Sequence, residues 1–578
     1  MSDPFISDQK KIKMKKIYIT ILSISLFTAC SRTNFSKNNT NPDVVLSIDP
    51  ATEFTTGAII AHNNDFEAYY DYYRNIFEWT QSWVPTGGNS ISFMQNLITA
   101  STQPYRNGSF YNRTNSGVGV AMTDVQHLID IMPAGKKEQY AQMHAIAGIM
   151  LAYYGWYVSD IQGSIAYTQA FKARYTIPAL LTPKYDDQED LYDTLNAQLK
   201  SCVAVLEATQ PVVQAQLGIN DIYFHGVGNE AANWTKAANS LRLKMALRLL
   251  KRNPTLAKSM ISEVLADNVG VIGSRDEQWV FKGGPGFASG GNWSPVAASG
   301  EKNIVDFMYN TIDPRMRNFY QVSALTKDMF DSAKAQGVIP ATETWRPYRG
   351  IYASPDASKQ TDKIFYFGQI SYSYKGVATN TNYASIIQNG LFDAAYQSLN
   401  GNINFPVITF ADVCLMRAEL AVAGITSENA QTWYYAGIDA SLADYDQWGK
   451  DAKVIGYTAL APGEATTYKA QPGIVYDPAN ALEQIYLQEY INYYKNQNEE
   501  WALMKRTGYP STTGNIFQAE SITSNGTVQP LPRRWLLTLP ATGVLNYDNM
   551  LQAIQDMQKD PDLGDLSDIT GRVWWDKK

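Results

Sequence analysis

Histidine, cysteine and charge are all scarce in this chain, and each scarcity removes a class of chemistry. The histidines are His62, His127, His144 and His225, and the cysteines are Cys30, Cys202 and Cys414. No histidine pair stands in the HExxH spacing that would put two imidazoles on one helical face. No C-x-x-C pair is present, which argues against structural zinc. His144 falls on an apolar helical stripe, where core packing is the expected role. There is no G-x-S-x-G elbow. The glycine-rich stretch 283–291 lacks the P-loop lysine and the strand–helix context that phosphate binding needs. Charged residues make up 18% and the formal net charge is −7, so a nucleic-acid partner is not suggested. Among 55 acidic residues, no local constellation nominates the carboxylate pair of a glycosidase. No catalytic residue, cofactor or metal is expected, and a helical glycan hydrolase is the alternative from another class. Beyond the N-terminal region no run of eighteen apolar residues occurs, so nothing further along is expected to span a membrane as a helix.

What the chain does have begins at its N-terminus. Lys10, Lys11, Lys13, Lys15 and Lys16 precede an apolar run at 17–29 that is too short to cross a bilayer and fits a signal-peptide core. The run ends in Leu26-Phe27-Thr28-Ala29-Cys30, small residues before a cysteine as in a bacterial lipobox, although leucine is usual where Phe27 stands. Residues 1–29 are therefore expected to be a lipoprotein signal, with Met14 as an alternative start. Cys30 is the expected lipidation site. Residues 30–49 are polar and asparagine-rich and read as a flexible tether. The remaining cysteines, Cys202 and Cys414, are expected to be buried free thiols.

The body, 50–578, is dominated by helical periodicity. At 137–158, Tyr140, His144, Ala147, Leu151, Tyr154 and Val158 form one stripe. Ala141, Ala145, Gly148, Ala152 and Gly155 form a second stripe of small residues. A helix with a large face and a small face can be packed on two sides, as stacked helical hairpins require. Further helices are expected at 188–208, 234–250, 255–266, 409–423, 430–445 and 478–506. Between them, about 271–400 mixes Gly, Ser, Pro, Tyr and Trp with short helices and hairpins only, a loop-rich insertion of the kind that carries function on a helical scaffold.

Several segments resemble, in order, the motifs of the SusD/RagB family. Gly163-Ser164-Ile165-Ala166-Tyr167-Thr168-Gln169-Ala170 resembles G-D-I-P-Y-S-E-A, with Ala166 for the proline and Gln169 for the glutamate. Pro183, Tyr185, Asp186, Gln188 and Tyr192 resemble P-x-Y-D-x-Q-x-x-Y. The run Trp234 to Leu243 is similar to W-x-K-F-A-N-S-L-R-L, and Asp313-Pro314-Arg315 matches D-P-R. Phe410 to Glu419 resembles Y-A-E-V-x-L-x-x-A-E, and Gly437-Ile438-Asp439-Ala440-Ser441 matches G-I-x-A-S. Glu499-Glu500-Trp501 with Lys505 to Pro510 resembles E-A-W followed by R-R-T-G-Y-P, and Arg572 to Asp576 resembles R-V-W-W-D. At 538–546 the family's Y-P-x-x-E is largely lost; Pro540 survives and Gly543 stands where an acid is usual. The resemblance implies an all-α fold with four tetratricopeptide-like helical pairs and a non-enzymatic, nutrient-binding outer-membrane lipoprotein on the cell surface. It also implies a SusC-like TonB-dependent transporter as partner, which the protein would cap like a lid.

Most matched residues read as structural. Lys236, Arg242, Lys244, Arg248, Lys251 and Arg252 suit the helix dipole and a solvated face, and Glu419, Arg417, Glu499 and Arg506 suit pairing between helices. Ligand capture needs flat aromatics for the apolar face of a sugar, with Asn, Gln, Asp or Arg for its hydroxyl rim. Three loops offer that mixture, at 79–89, 283–293 and 345–349. The candidates are Trp83, Asn89, Trp293, Arg346 and Tyr348, with Tyr372. The expected ligand is an oligosaccharide; an oligopeptide or another polar nutrient is the alternative.

Overall fold

Apolar residues recurring every three to four positions fold most of this chain into antiparallel helices. The computed structural model describes residues 48–63, 67–85, 104–112, 117–285, 287, 298–393 and 401–578. Its longer helices are α1 (Pro50–Ile60), α2 (Val118–Asp130), α3 (Ala141–Gln162), α4 (Gln188–Glu207), α5 (Glu230–Leu249), α6 (Pro254–Ala266), α7 (Phe410–Val422), α8 (Ala430–Asp451), α9 (Ala481–Asn492) and α10 (Gln497–Thr507). The starts of α5 to α8 are written in the sequence. Asn229, Asn253 and Asn429 each accept a backbone N–H of the first turn. Thr409 and Asp412 close a reciprocal capping box at α7.

α1 packs on α2, α3 on α4, α5 on α6 and α7 on α8, while α2–α3 and α4–α5 contacts join the first three hairpins into a stack. This is the all-α, tetratricopeptide-like scaffold expected from the sequence. Three hairpins close on a glycine. A Cβ at Gly57 would stand 2.8 Å from Ala121 Cβ, one at Gly148 2.9 Å from Cys202 Sγ, and one at Gly437 2.7 Å from Leu415 Cγ. Small residues are what let these backbones approach. Cys202 and Cys414 are buried and free. The stripe on α3 is partly as expected: Ala147, Tyr154 and Val158 are buried, whereas Leu151 is only partly so and His144 reaches the surface, 3.7 Å from Asp130.

Two expectations are corrected. The helix expected over 478–506 is broken: α9 ends at Asn492, a 3-10 turn covers Tyr493–Lys495, and Asn496 takes an extended φ of −133° before α10 begins. The basic cluster of α5 has no common solvated face. Arg242, Lys244 and Arg248 are buried, because α5 lies against α4, α6 and α7. Arg248 donates to Glu499 at 2.8 Å, lies 3.5 Å from Asp160, and sits over the rings of Trp156 and Trp575. One turn earlier, Lys244 contacts Asp412 at 3.2 Å and Glu499 at 3.4 Å. Arg506 pairs with Glu419 and lies 3.5 Å from Glu489. Asn498 bridges Asp160 and Arg106. A continuous buried ionic spine therefore ties α3, α5 and α7 to α9, α10 and the C-terminal Trp575. Of the remaining cations of the cluster, Lys236 pairs with Glu277 and Arg252 with Asp560.

The loop-rich region holds short helices (Lys302–Asn310, Lys327–Ala335) and shares in three small antiparallel pairs, the shortest joining Val84–Pro85 to Ala298–Ser299. The longer strands are β1 (Trp279–Gly283), β2 (Gln369–Tyr374), β3 (Val377–Asn382) and β4 (Ile403–Ile408). β2 and β3 form a hairpin turned by Lys375 and Gly376, both at positive φ, as a tight two-residue turn requires. β1 pairs with β4, far away in sequence, with Phe281 opposite Phe405. Residues Pro50–Lys578 form one compact unit.

Candidate functional site

The residues nominated from composition do not converge. Trp83 is only 1% exposed; it stacks on Phe77 at 3.9 Å and meets the edge of Phe392 at 4.4 Å. Tyr372 is buried on β2, its hydroxyl 3.2 Å from Thr381 Oγ1, in a different apolar cluster. Both are packing residues in this structure, which corrects their nomination as ligand contacts. A large aromatic face that would stack on a sugar here packs the protein's own core instead. Arg346 remains accessible; it donates to Asp306 at 2.9 Å and lies over Tyr309. Tyr348 is half-buried beside the cluster of Phe319 and Tyr320. Cys30, Asn89 and Trp293 lie outside the described residues.

The histidines are dispersed. His62 meets the hydroxyl of Tyr223 at 2.8 Å among Phe281 and Phe405, His127 stacks on Tyr175, and His225 contacts the Gly218 carbonyl. Burial among those rings pushes His62 down to about 3. No group of three metal-ligating side chains occurs among the described residues.

Two cavities instead flank the β1–β4 ribbon. The larger is a polar groove of about 730 Å³ lined by Arg275, Asp276, Gln278, Lys282, Asn402, Asn404, Gln447 and Asp451, with Tyr223 and Trp448 at its floor. Local geometry builds it firmly. Gly401 precedes β4 where a Cβ would stand 2.4 Å from the Ala452 carbonyl, and Asn402 N–H donates to Asp451 O at 2.8 Å. These clamp the ribbon to the end of α8. Asn404 and Gln447 donate to Asp451, and Arg275 and Gln278 donate to Asp444. Burial pushes the Asp444 carboxyl up to about 6, against the opposing pull of Arg275. Lys282, Asp276 and Arg275 are exposed. An open groove with amides, both signs of charge and aromatic edges can bond a rim of hydroxyls in many directions, the pattern of a site for a neutral polar ligand.

Across the ribbon, Asn404 and Phe405 also line a narrower recess of about 100 Å³, walled by Tyr72, Tyr73, Tyr153, Tyr154 and Tyr157. Its back is organised by Glu67. The segment Glu67–Ile76 is a π-type helix, whose i to i+5 repeat sets Tyr72 one turn from Glu67. Glu67 accepts the hydroxyls of Tyr72 (2.8 Å), Tyr154 (2.9 Å), Tyr157 (2.7 Å) and Ser109 (2.5 Å). Asp71 accepts the Tyr105 and Arg106 amides, and its burial, opposed by Arg106, pushes it up to about 7. These two carboxylates hold the segment to its neighbours. Of the recess tyrosines, only Tyr154 stands on a stripe marked in the sequence, and there as a core position. The signal was present in the tyrosine-rich run at 67–73.

The comparisons agree with the fold. A family model described as starch-binding and associating with the outer membrane matches residues 67–535. A solved chitin-binding protein superposes with a TM-score of 0.66 at 20% identity, covering 92% of this chain and 100% of its own. A SusD homologue from Bacteroides fragilis gives 0.62 at 20% identity with the same coverage. A chitin-binding SusD homologue from Flavobacterium johnsoniae gives 0.59 at 19% identity, covering 91% of this chain and 98% of its own. No curated protein sequence matches.

Proposed function

The chain belongs to the SusD-like family, and on that premise we propose that it is a non-enzymatic surface lipoprotein that captures oligosaccharides and hands them to a SusC-like TonB-dependent transporter. The groove beside the β1–β4 ribbon is the capture site in this reading. The observation that carries it is the lining itself, amides, carboxylates and cations on a ribbon clamped to α8. Arg346 and Tyr348 remain candidates for accessory contacts, as do Asn89 and Trp293. Cys30 is the proposed lipid anchor. Two acyl chains hold a protein on a bilayer far better than one.

The neighbours named for chitin and the family named for starch set the first probes, chito- and malto-oligosaccharides. Calorimetric titration of the full chain with both series, with the sugars recovered and sized afterwards, tests the reading. Saturable binding with intact sugar is the expected result. Shortened sugar would favour the hydrolase, and binding of oligopeptides in place of sugars would move the assignment to a peptide carrier.

A further inference from the structure

The recess on the other side of the ribbon carries a feature that a neutral-sugar site does not need. Lys495 lines it, on the 3-10 turn between α9 and α10. The ammonium donates to the Leu391 carbonyl and lies 4.6 Å from the Phe392 ring centroid. An ammonium has three donors, and no carboxylate among the described residues pairs with this one. Cations buried elsewhere have partners. Arg106, Lys244, Arg248, Arg315 and Arg506 face carboxylates. Arg349 and Arg534 spend their guanidinium donors on backbone carbonyls and a hydroxyl. Lys505 lies over two indoles. Glu67, the acid of the same recess, has its two oxygens occupied by four hydroxyl donors.

We propose that this tyrosine-walled recess binds an anionic substituent, a carboxylate or a sulfate, carried on a saccharide, with Lys495 as its counter-ion. The size suits one such group better than a whole sugar chain. Burial without a counter-charge pushes Lys495 down to about 7, a cost that an incoming anion relieves. Gln497 also lines the recess, and its side chain carries amide donors. The inference rests on the saccharide reading above and names a second ligand class for it.

The test is titration of the full chain with D-glucuronate, glucose 6-sulfate and glucose, for the wild type, Lys495→Met and Lys495→Arg. Glucuronate and the sulfate separate the two anion types. At least one acid should bind about ten-fold tighter than glucose, as a charge-assisted hydrogen bond supplies. The advantage should vanish in Lys495→Met and survive in Lys495→Arg. If Lys495→Met does not fold, acetylation of Lys495 in the wild type, followed by peptide mass spectrometry, should be slowed by the acid and not by glucose. Equal binding of all three sugars, or unchanged acetylation, overturns the pocket. Neutral oligosaccharides titrated into the same samples report on the groove separately, so failure of either site is read independently of the other.

Discussion

The ionic spine and the ribbon face use the same residue types to opposite ends. In the spine, Arg248, Lys244, Glu499, Asp412 and Asp160 are buried and pair with one another. On the ribbon face, Arg275, Asp276 and Lys282 stand exposed around an open groove. Removing one partner of a buried pair strands the other charge, whereas an exposed charge is already solvated. Part of the family-like motifs meets the spine: Asp412 and Glu419 of the 410–419 run, Glu499, Arg506 and Trp575 belong to it, and the 234–243 run lies on the same helix as Lys244 and Arg248. Those motifs therefore serve the scaffold, and the groove is lined by residues outside them, from the insertion, β4 and the end of α8.

The contrast can be broken most strongly at Arg248. Arg248→Met should cost about 3–5 kcal/mol, because Glu499 and Asp160 lose their partner. Urea unfolding measures it, and ligand affinity per folded molecule should not change. Next, Gly437→Ala places a methyl within 2.7 Å of Leu415 and should cost about 1–3 kcal/mol by overpacking the α7–α8 hairpin.

A pH series sharpens the same point. Burial pushes Glu489 and Glu500 up to about 8. Between the ordinary carboxylate range and pH 8 the folded chain keeps protons that the unfolded chain releases, so stability falls as pH rises through that window and levels off above it. The melting temperature should be higher at pH 5 than at pH 8, with a smaller difference in Glu500→Gln. Lys495 and Lys505, held down to about 7 and 8, act in the opposite sense only above pH 7. The smallest stability effects belong to the groove: Asp276→Ala and Lys282→Ala should leave stability within about 0.5 kcal/mol. Each should weaken oligosaccharide binding about three- to ten-fold, one lost hydrogen bond's worth.

The α3–α4, α5–α6 and α7–α8 hairpins were legible because a 3.6-residue period survives burial on two sides, and α5 to α8 start on ordinary Asn and Thr caps; the α1–α2 hairpin was not expected. The break at 493–496 was not, since Tyr493-Tyr494-Lys495-Asn496 has neither glycine nor proline to mark it. Buried Lys244 and Arg248 were misread because an isolated helix shows its charges without the partners that α7 and α10 bring. Site residues were the least legible part. An aromatic in a glycine-rich loop reads the same whether its face packs inward, as with Trp83, or outward. The groove joins residues from 275–282, 402–404 and 447–451, which no local pattern connects.

Hydrogen–deuterium exchange of the full chain, with and without a saturating chito- or malto-oligosaccharide, tests the division between scaffold and capture face most directly. Slowed exchange should appear at 278–283, 402–407 and 447–451, with α3, α5 and α10 unchanged. Protection confined to the stacked hairpins, with the ribbon untouched, would contradict it.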